Sequence, residues 1–404
     1  MENSISFIHA ADLHLDSPFK GLTHIPDSIF YDVRESTFTA LDNLVTTAIN
    51  KQVDFILLVG DLFDNENQSL KAQVRLRKAF EKLKSHQINV YLSFGNHDFI
   101  NGNIHSIEYP DNVFIFPNEN VSTFCFKKNN ESVASIYGFS YESRSLKKNK
   151  TIDYKVQNRA IPFHIAMLHG TINGNKEHDL YAPFSLQDLK EEPFDYWALG
   201  HIHKRQQLSS APPIIYPGNI QGRHRNEAGE KGCYYVRLSR AETELEFIPL
   251  QSIVFDDIRI DASACKTILE IEEKIKNTIG KNAEEKLIHL TINSKNDDIL
   301  RLENDHVLKE LIDIVNESLL EEEHWSYIYT YKIQIDELPK FKEDDFFIGE
   351  IEKSLEELSI SETVKDLYNH PKARKYLEAL SEDDIKESAR QLLIHELLHV
   401  EEGD

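Results

Sequence analysis

A chain of 404 residues with a formal net charge of −23 is too long for one ordinary core, so two or three domains are expected. Its 40% hydrophobic and 28% charged residues exclude a disordered or fibrous chain. Its longest apolar runs, such as FILLVG at residues 55–60, fall far short of the roughly 20 residues that a membrane-spanning helix needs.

The charge is unevenly spread. Residues 251–404 hold 19 Lys and Arg against 38 Asp and Glu, which leaves 26 against 30 in residues 1–250. A phosphate-handling site is therefore compatible with the first part, and the acidic remainder suits water or a basic protein partner. Cys125, Cys233 and Cys265 form no CxxC pair, which argues against a disulfide framework or a zinc ribbon. The opening MENSISFIHAAD has no basic segment and no cleavage site; a cytoplasmic protein without a membrane association is the expectation.

In chain order, ISFIHA precedes a helical pattern over 28–50, VDFILLVG precedes another over 66–86, INVYLSFG follows, and FHIAMLHG and DYWALGH come later. This rhythm predicts βαβ units feeding a largely parallel sheet, with strands apolar throughout because both faces are covered. Short strands cluster between them (NVFIF, VSTFCF, SVASIYGF) and again over 213–250 (PIIYPG, GCYYVRLS, ELEFIPL), as in a second sheet packed on the first. After about 255 the order VFDDIRI, helix 265–280, LIHLTIN, helix 305–320, YIYTYKIQI suits a small α+β domain. From 341 the chain is helix-rich and acidic. The expected architecture is α/β: a two-sheet β-sandwich flanked by helices over 1–253, a small α+β capping domain over 254–340, and an acidic helical C-terminal region over 341–404.

Five polar clusters close the apolar strands: Asp12-Leu13-His14, Gly60-Asp61-Leu62-Phe63-Asp64, Gly95-Asn96-His97-Asp98, His169-Gly170 and Gly200-His201-Ile202-His203. Carboxyl ends of strands in an α/β sheet are where ligands bind. Carboxylates, an amide and imidazoles without a thiolate suit divalent ions such as Mn²⁺ or Fe²⁺, with Zn²⁺ also admissible and Ca²⁺ disfavoured. In DLH and HIH the polar residues are separated by one, so a strand-like extension points both the same way. Gly60, Gly95 and Gly200 stand just before candidate ligands, where a missing Cβ permits a sharp turn or close approach.

D-x-H, GD-x-x-D, GNHD, H-G and GH-x-H in this order, with HAADLHLDSPFKGL and YPGNIQGRHRNEAGEKG, resemble the calcineurin-like metallophosphoesterases. Within them, the resemblance is to the DNA-repair exonuclease branch of SbcD-type, YhaO-like proteins, and covers roughly residues 5–250. It implies one ion held by Asp12, His14, Asp61 and His203 and a second by Asp61, Asn96, His169 and His201, with Mn²⁺ first and Fe²⁺, Mg²⁺ or Zn²⁺ as alternatives. Asp61 would bridge them, since dications roughly 3.5–4 Å apart need an anion between them. In-line attack on a phosphodiester by a bridging hydroxide follows from the same resemblance. His97 would stabilise the transition state or protonate the leaving oxygen, because imidazole titrates near neutrality. Asp98 is read as orienting its loop.

Where the nuclease branch carries a histidine at the end of GDLF-x, this chain has Asp64. Its carboxylate is expected to orient His97 and raise its pKa, which leaves exonuclease mode and strand polarity open. Arg223, His224 and Arg225 are the first candidates for phosphate contacts, with Lys20, Lys204 and Arg205 behind them. HELLH at 395–399 matches a zincin pair, but only five residues follow it, and its leucines fit an amphipathic helix better. Ile351, Leu355, Leu358, Leu377, Leu380 and Leu392 could form an apolar stripe. By resemblance, that stripe would dock on an SMC-like ATPase of SbcC type, and a homodimer is a further possibility. The expected activity is a metal-dependent phosphodiester hydrolase acting on DNA. The alternatives are a small-nucleotide phosphodiesterase and a non-catalytic scaffold.

Overall fold

The computed structural model describes residues 4–335, apart from 20, 23, 65–68, 103–106, 174–180, 282, 296–298, 300, 301 and 303–305, together with 350, 353–356, 358–360, 382, 385, 386 and 389. HELLH, Ile351, Leu377, Leu380, Leu392 and Lys20 lie outside the described residues; Leu355 is half-buried and Leu358 exposed.

Among the described residues, two six-stranded mixed sheets and one three-stranded sheet carry the fold. The first contains β1 (Ile5–Ala10), β2 (Phe55–Val59), β3 (Asn89–Ser93), β4 (Val113–Ile115), β11 (Gly232–Leu238) and β12 (Thr243–Pro249), in the order β12-β11-β1-β2-β3-β4. β1 to β4 run parallel, and β11 joins β1 antiparallel with Ile5 opposite Leu238. The second sheet contains β5 (Ser122–Lys128), β6 (Glu131–Gly138), β7 (Phe163–His169), β8 (Tyr196–Gly200), β9 (Gln206–Ser210) and β10 (Pro213–Tyr216), in the order β5-β6-β7-β8-β10-β9.

Membership differs from the expected grouping: β7 and β8 leave the first sheet, and β11 and β12 join it. All of these strands are apolar enough for either sheet; strand pairing depends on partners distant in sequence, which local pattern does not encode.

Alternation along the central strands builds two cores. Ile8, Ala10, Ile56, Leu58, Val90 and Leu92 face helices α1 (Asp27–Asn50) and α2 (Leu70–Ser85). Their neighbours Phe7, Phe55, Leu57, Val59 and Tyr91 face Ile165, Met167, Tyr196 and Ile215 of the second sheet. Each Val, Leu, Ile, Phe or Met side chain fully buried there contributes about 1.5–3 kcal/mol. Ser69 caps α2, its hydroxyl accepting from Ala72 N at 3.1 Å. Of the two six-stranded sheets, only the first has its outer face covered by helices among the described residues. The outer face of the second lies under Tyr141, Tyr154, Phe184, Leu189 and Phe194, carried on loops and short 3₁₀ turns.

Strands β13 (Ile253–Asp261), β14 (Glu285–Ser294) and β15 (Ser326–Ile335) are all parallel, joined through α3 (Ile268–Ile279) and, in the later connection, α4 (Val307–Leu320). Parallel neighbours require such crossovers. One sheet face packs on α3 and α4. The other, through Ile253, Phe255, Leu287 and Tyr329, packs on Phe19, Leu22, Ile25, Ile29 and Val33 ahead of and within α1. Among the described residues no helix is long and apolar enough to cross a membrane.

Candidate metal centre

The loops after β1, β2 and β3 in one sheet meet those after β7 and β8 in the other. Asp12, His14, Asp61, Asn96 and His169 are buried there, with His97, His201 and His203 partly so. The expected strand-like extension of DLH and HIH does not hold. Asp12, His14, Asp61 and His201 all have left-handed backbones, with φ of 53°, 43°, 50° and 99°. Such backbone costs of order 1–3 kcal/mol per residue and persists where surrounding structure dictates it. Here Asp12 N donates to Gly60 O at 3.2 Å, His14 N to Asp61 O at 3.0 Å, and Leu15 N to Leu62 O at 2.9 Å. These bonds tie the first two loops together and turn both side chains inward.

Close approach explains the glycines. A Cβ on Gly60 would stand 2.2 Å from His169 Nδ1, on Gly95 2.3 Å from Asp61 Oδ1, and on Gly200 2.1 Å from Val59 O. Asp98 accepts from Leu62 N at 2.6 Å and Gly95 N at 2.7 Å, so it locks the GD loop to the GNHD loop. Burial, followed by the charge of Asp61, raises its carboxyl to about 7.

Among the described residues two donor groups emerge: Asp12, His14 and His203, and Asp61, His169 and His201. His14 Nε2 is 3.1 Å from His203 Nε2 and 4.0 Å from Asp61 Oδ2. Asn96 Oδ1 is 3.0 Å from His169 Nε2 and 3.1 Å from His201 Nδ1, and Asp61 Oδ2 is 3.3 Å from His169 Nε2. Asp12 accepts from His201 N at 3.1 Å through both oxygens.

The imidazole tautomers follow from their outer contacts. His203 Nδ1 lies 2.6 Å from Glu227 Oε1, His14 Nδ1 3.3 Å from Asp64 Oδ1, and His169 Nδ1 3.0 Å from the Val59 carbonyl. Those oxygens only accept, so in His203 and His14, which burial keeps neutral, the proton belongs on Nδ1 and the two Nε2 lone pairs face each other, while His169 Nε2 faces the oxygens of Asn96 and Asp61. Lone pairs aimed at one another around buried carboxylates fit divalent cations.

The electrostatics agree. Burial drives the Asp12 carboxyl up, against the opposing pull of His169, and neighbouring Asp61 adds to the rise. Burial also pushes Asp61 up, but His169, His14 and His97 outweigh it and hold the group well below the usual carboxylate range. Burial takes His14 down to about 3, assisted by Arg223, and lowers His203. Burial would lower His169 too, yet Asp61 and Asp12 raise it to about 9. The two carboxylates call for positive charge between them.

His97 N donates to Asp61 Oδ1 at 3.0 Å. Its Nδ1 contacts the backbone carbonyl of Asp64 at 3.0 Å, not the carboxylate that the sequence led us to expect. The Asp64 carboxylate instead meets His14 and Arg223, the latter at 2.5 Å. Arg223, expected at the surface for phosphate, is largely buried, its guanidinium turned on Asp64, Glu227 and His203. His224 is exposed and Arg225 half-buried, while Lys204 and Arg205 are exposed beside His203. Glu227, 5% exposed, was missed: a lone glutamate in a basic turn carries no spacing signal, and only its place in the resembling stretch GNIQGRHRNE marks it. Tyr141 and Tyr216, whose hydroxyls donate to His169 O at 2.8 Å and Gly170 O at 2.6 Å, were missed as ordinary aromatic core.

A family model described as calcineurin-like phosphoesterase matches residues 5–205. The chain is 38% identical over 398 residues to the uncharacterized metallophosphoesterase YhaO of Bacillus subtilis (strain 168), covering 98% of this chain and 97% of that one. It is 28% identical over 305 residues to the DNA double-strand break repair protein Mre11 of Thermoplasma acidophilum, covering 69% of this chain and 74% of the relative. Against the protein of the same description from Methanocaldococcus jannaschii it is 26% identical over 289 residues, covering 67% and 74%. With its ordered motifs gathered into one buried cluster of oxygen and nitrogen donors, this chain belongs to the calcineurin-like metallophosphoesterases.

Proposed function

We propose that the chain is a metal-dependent phosphodiesterase that cleaves DNA, a nuclease of repair or end processing. The observation that carries this reading is the convergence of seven donor side chains, Asp61 among them, from five strand ends into one buried cluster, with imidazole nitrogens facing inward. Asp12, His14, Asp61 and His203 would hold one ion, and Asp61, Asn96, His169 and His201 the other. The mixed donors favour Mn²⁺, with Fe²⁺, Mg²⁺ and Zn²⁺ as alternatives. Such ions supply Lewis acidity and an activated water.

The protein's own groups do the rest. Asp61 offers Oδ2 to both donor groups while its Oδ1 is held by His97 N. His97 is anchored through Nδ1 to Asp64 O, which leaves Nε2 to stabilise charge on the phosphoryl group or to exchange a proton with the leaving oxygen. His224, Arg225, Lys204 and Arg205 lie on the His203 side and suit a phosphate backbone. DNA as substrate is supported by the two relatives whose names describe double-strand break repair. An SMC-like ATPase partner, a homodimer and a cytoplasmic location are extensions of the same reading.

The test is turnover of labelled duplex, labelled single strand and a small chromogenic phosphodiester across Mn²⁺, Mg²⁺, Fe²⁺ and Zn²⁺, with His97→Ala as control. Metal-dependent DNA cleavage that His97→Ala abolishes supports the reading. Turnover of the small diester without DNA cleavage overturns the substrate, and no turnover with any ion overturns the activity.

A further inference from the structure

The two donor groups are backed differently. Behind the first runs a chain of ions: His203 Nδ1 to Glu227 Oε1 at 2.6 Å, Glu227 Oε1 to Arg223 Nη2 at 3.4 Å, Arg223 Nη1 to Asp64 Oδ1 at 2.5 Å, and Asp64 Oδ1 to His14 Nδ1 at 3.3 Å. One guanidinium thus joins two carboxylates, and each carboxylate faces the outer nitrogen of one imidazole. The second oxygen of Glu227 accepts from Arg223 N and Asn219 Nδ2, both at 2.8 Å. The turn carrying it is pinned to β13, where Gln221 Nε2 donates to Ile253 O at 2.7 Å. Behind the second group, His169 Nδ1 hydrogen-bonds the neutral carbonyl of Val59 at 3.0 Å, and the carboxylate near it, 3.9 Å away, is Asp12, itself a donor of the first group.

We infer that Glu227, Arg223 and Asp64 form a positioning clamp that fixes the tautomer and orientation of His203 and His14, and so sets the affinity of one ion site and not the other. The inference deepens the proposed function and rests on it. An outer carboxylate strengthens a histidine ligand and fixes its ring. Two carboxylates and one guanidinium leave one net negative charge behind the first site, whereas a carbonyl adds none. Arg223 keeps two buried carboxylates from repelling each other, a cost that each alone would impose on the fold.

The experiment is a calorimetric Mn²⁺ titration of the full chain, with the absorption spectrum of the Co²⁺-loaded protein as a second readout, for wild type, Glu227→Gln and Asp64→Asn. Both substitutions keep side-chain volume, and circular dichroism of the metal-free proteins checks folding. If Glu227→Gln does not fold, Asp64→Asn reports on the same site from the other end of the clamp. The expected result is that either variant weakens one of two binding steps by about 10–100-fold while the other stays within about threefold, with the Co²⁺ spectrum changed for that ion alone. Two unchanged steps, or equal weakening of both, would overturn the clamp. A wild type that shows fewer than two steps would overturn the proposed function itself and the clamp with it.

Discussion

Replacing Gly95 with alanine tests the placement of Asp61 with one methyl group. The added Cβ would lie 2.3 Å from Asp61 Oδ1, 2.8 Å from Asp61 N and 2.8 Å from His169 Nε2, where ordinary contact begins at 3.4 Å. Relief requires the carboxylate to retreat by about 1 Å, and misplacement of that size at a reacting centre costs about 10²-fold in rate. The move would also loosen the His97 N bond to Oδ1. Mn²⁺-dependent phosphodiester turnover and bound metal are the measurements; both should fall in Gly95→Ala, and the unfolding midpoint should fall as well, because the Asp61 backbone and the His169 ring must also give way. Gly280→Ala serves as control. Its φ of 62° is left-handed, but nothing lies nearer to its Cβ than Asn277 O at 4.0 Å. With ψ of −169° this backbone is one that essentially only glycine adopts, so the change should cost about 1–3 kcal/mol of stability and leave turnover alone. Wild-type metal content and rate in Gly95→Ala would refute the placement of Asp61 at the reacting centre.

Acid stability follows from His9, buried between Tyr196 Oη and Leu199 O, each at 3.0 Å, where burial holds the imidazole down to about 3 against a partial upward pull from the Leu199 carbonyl. The unfolded chain protonates it below about 6.5, so stability is full above that pH and falls on acidification, by up to about 1.4 kcal/mol per pH unit. His9→Asn should flatten urea midpoints between pH 6.5 and 5 relative to wild type, and parallel curves would contradict this. Leu57→Ala, at a fully buried position between the sheets, should cost about 2–5 kcal/mol in denaturant unfolding; a loss below about 1 kcal/mol would mean that the sheets do not pack there. For duplex binding, Lys204→Ala and Arg205→Ala should each reduce the slope of log K against log salt by about 0.9 if they contact phosphate, and an unchanged slope removes them from the interface.

Much of the site was legible because chemistry and spacing recur locally: apolar strands predicted β1, β2, β3, β7 and β8, and the polar residue after each marked its end. What sequence could not carry was relational. Which sheet takes β7 or β11 depends on distant partners. The left-handed backbone at Asp12, His14, Asp61 and His201 is imposed by hydrogen bonds between loops that no single segment contains. Arg223 reads as a surface cation until Asp64, 159 residues away in the chain, is brought within 2.5 Å. The sequence led us to expect the Asp64 carboxylate on His97, but the contact runs through the Asp64 carbonyl, and residue type says nothing of backbone direction. Glu227 differs from other acidic residues only in what surrounds it.

Anomalous diffraction from crystals of the protein grown with Mn²⁺ tests the centre most directly. Two peaks roughly 3.5–4 Å apart on either side of Asp61, one among Asp12, His14 and His203 and the other among Asn96, His169 and His201, are the predicted result. A single peak, or a pair that leaves Asp61 uncoordinated, would contradict it.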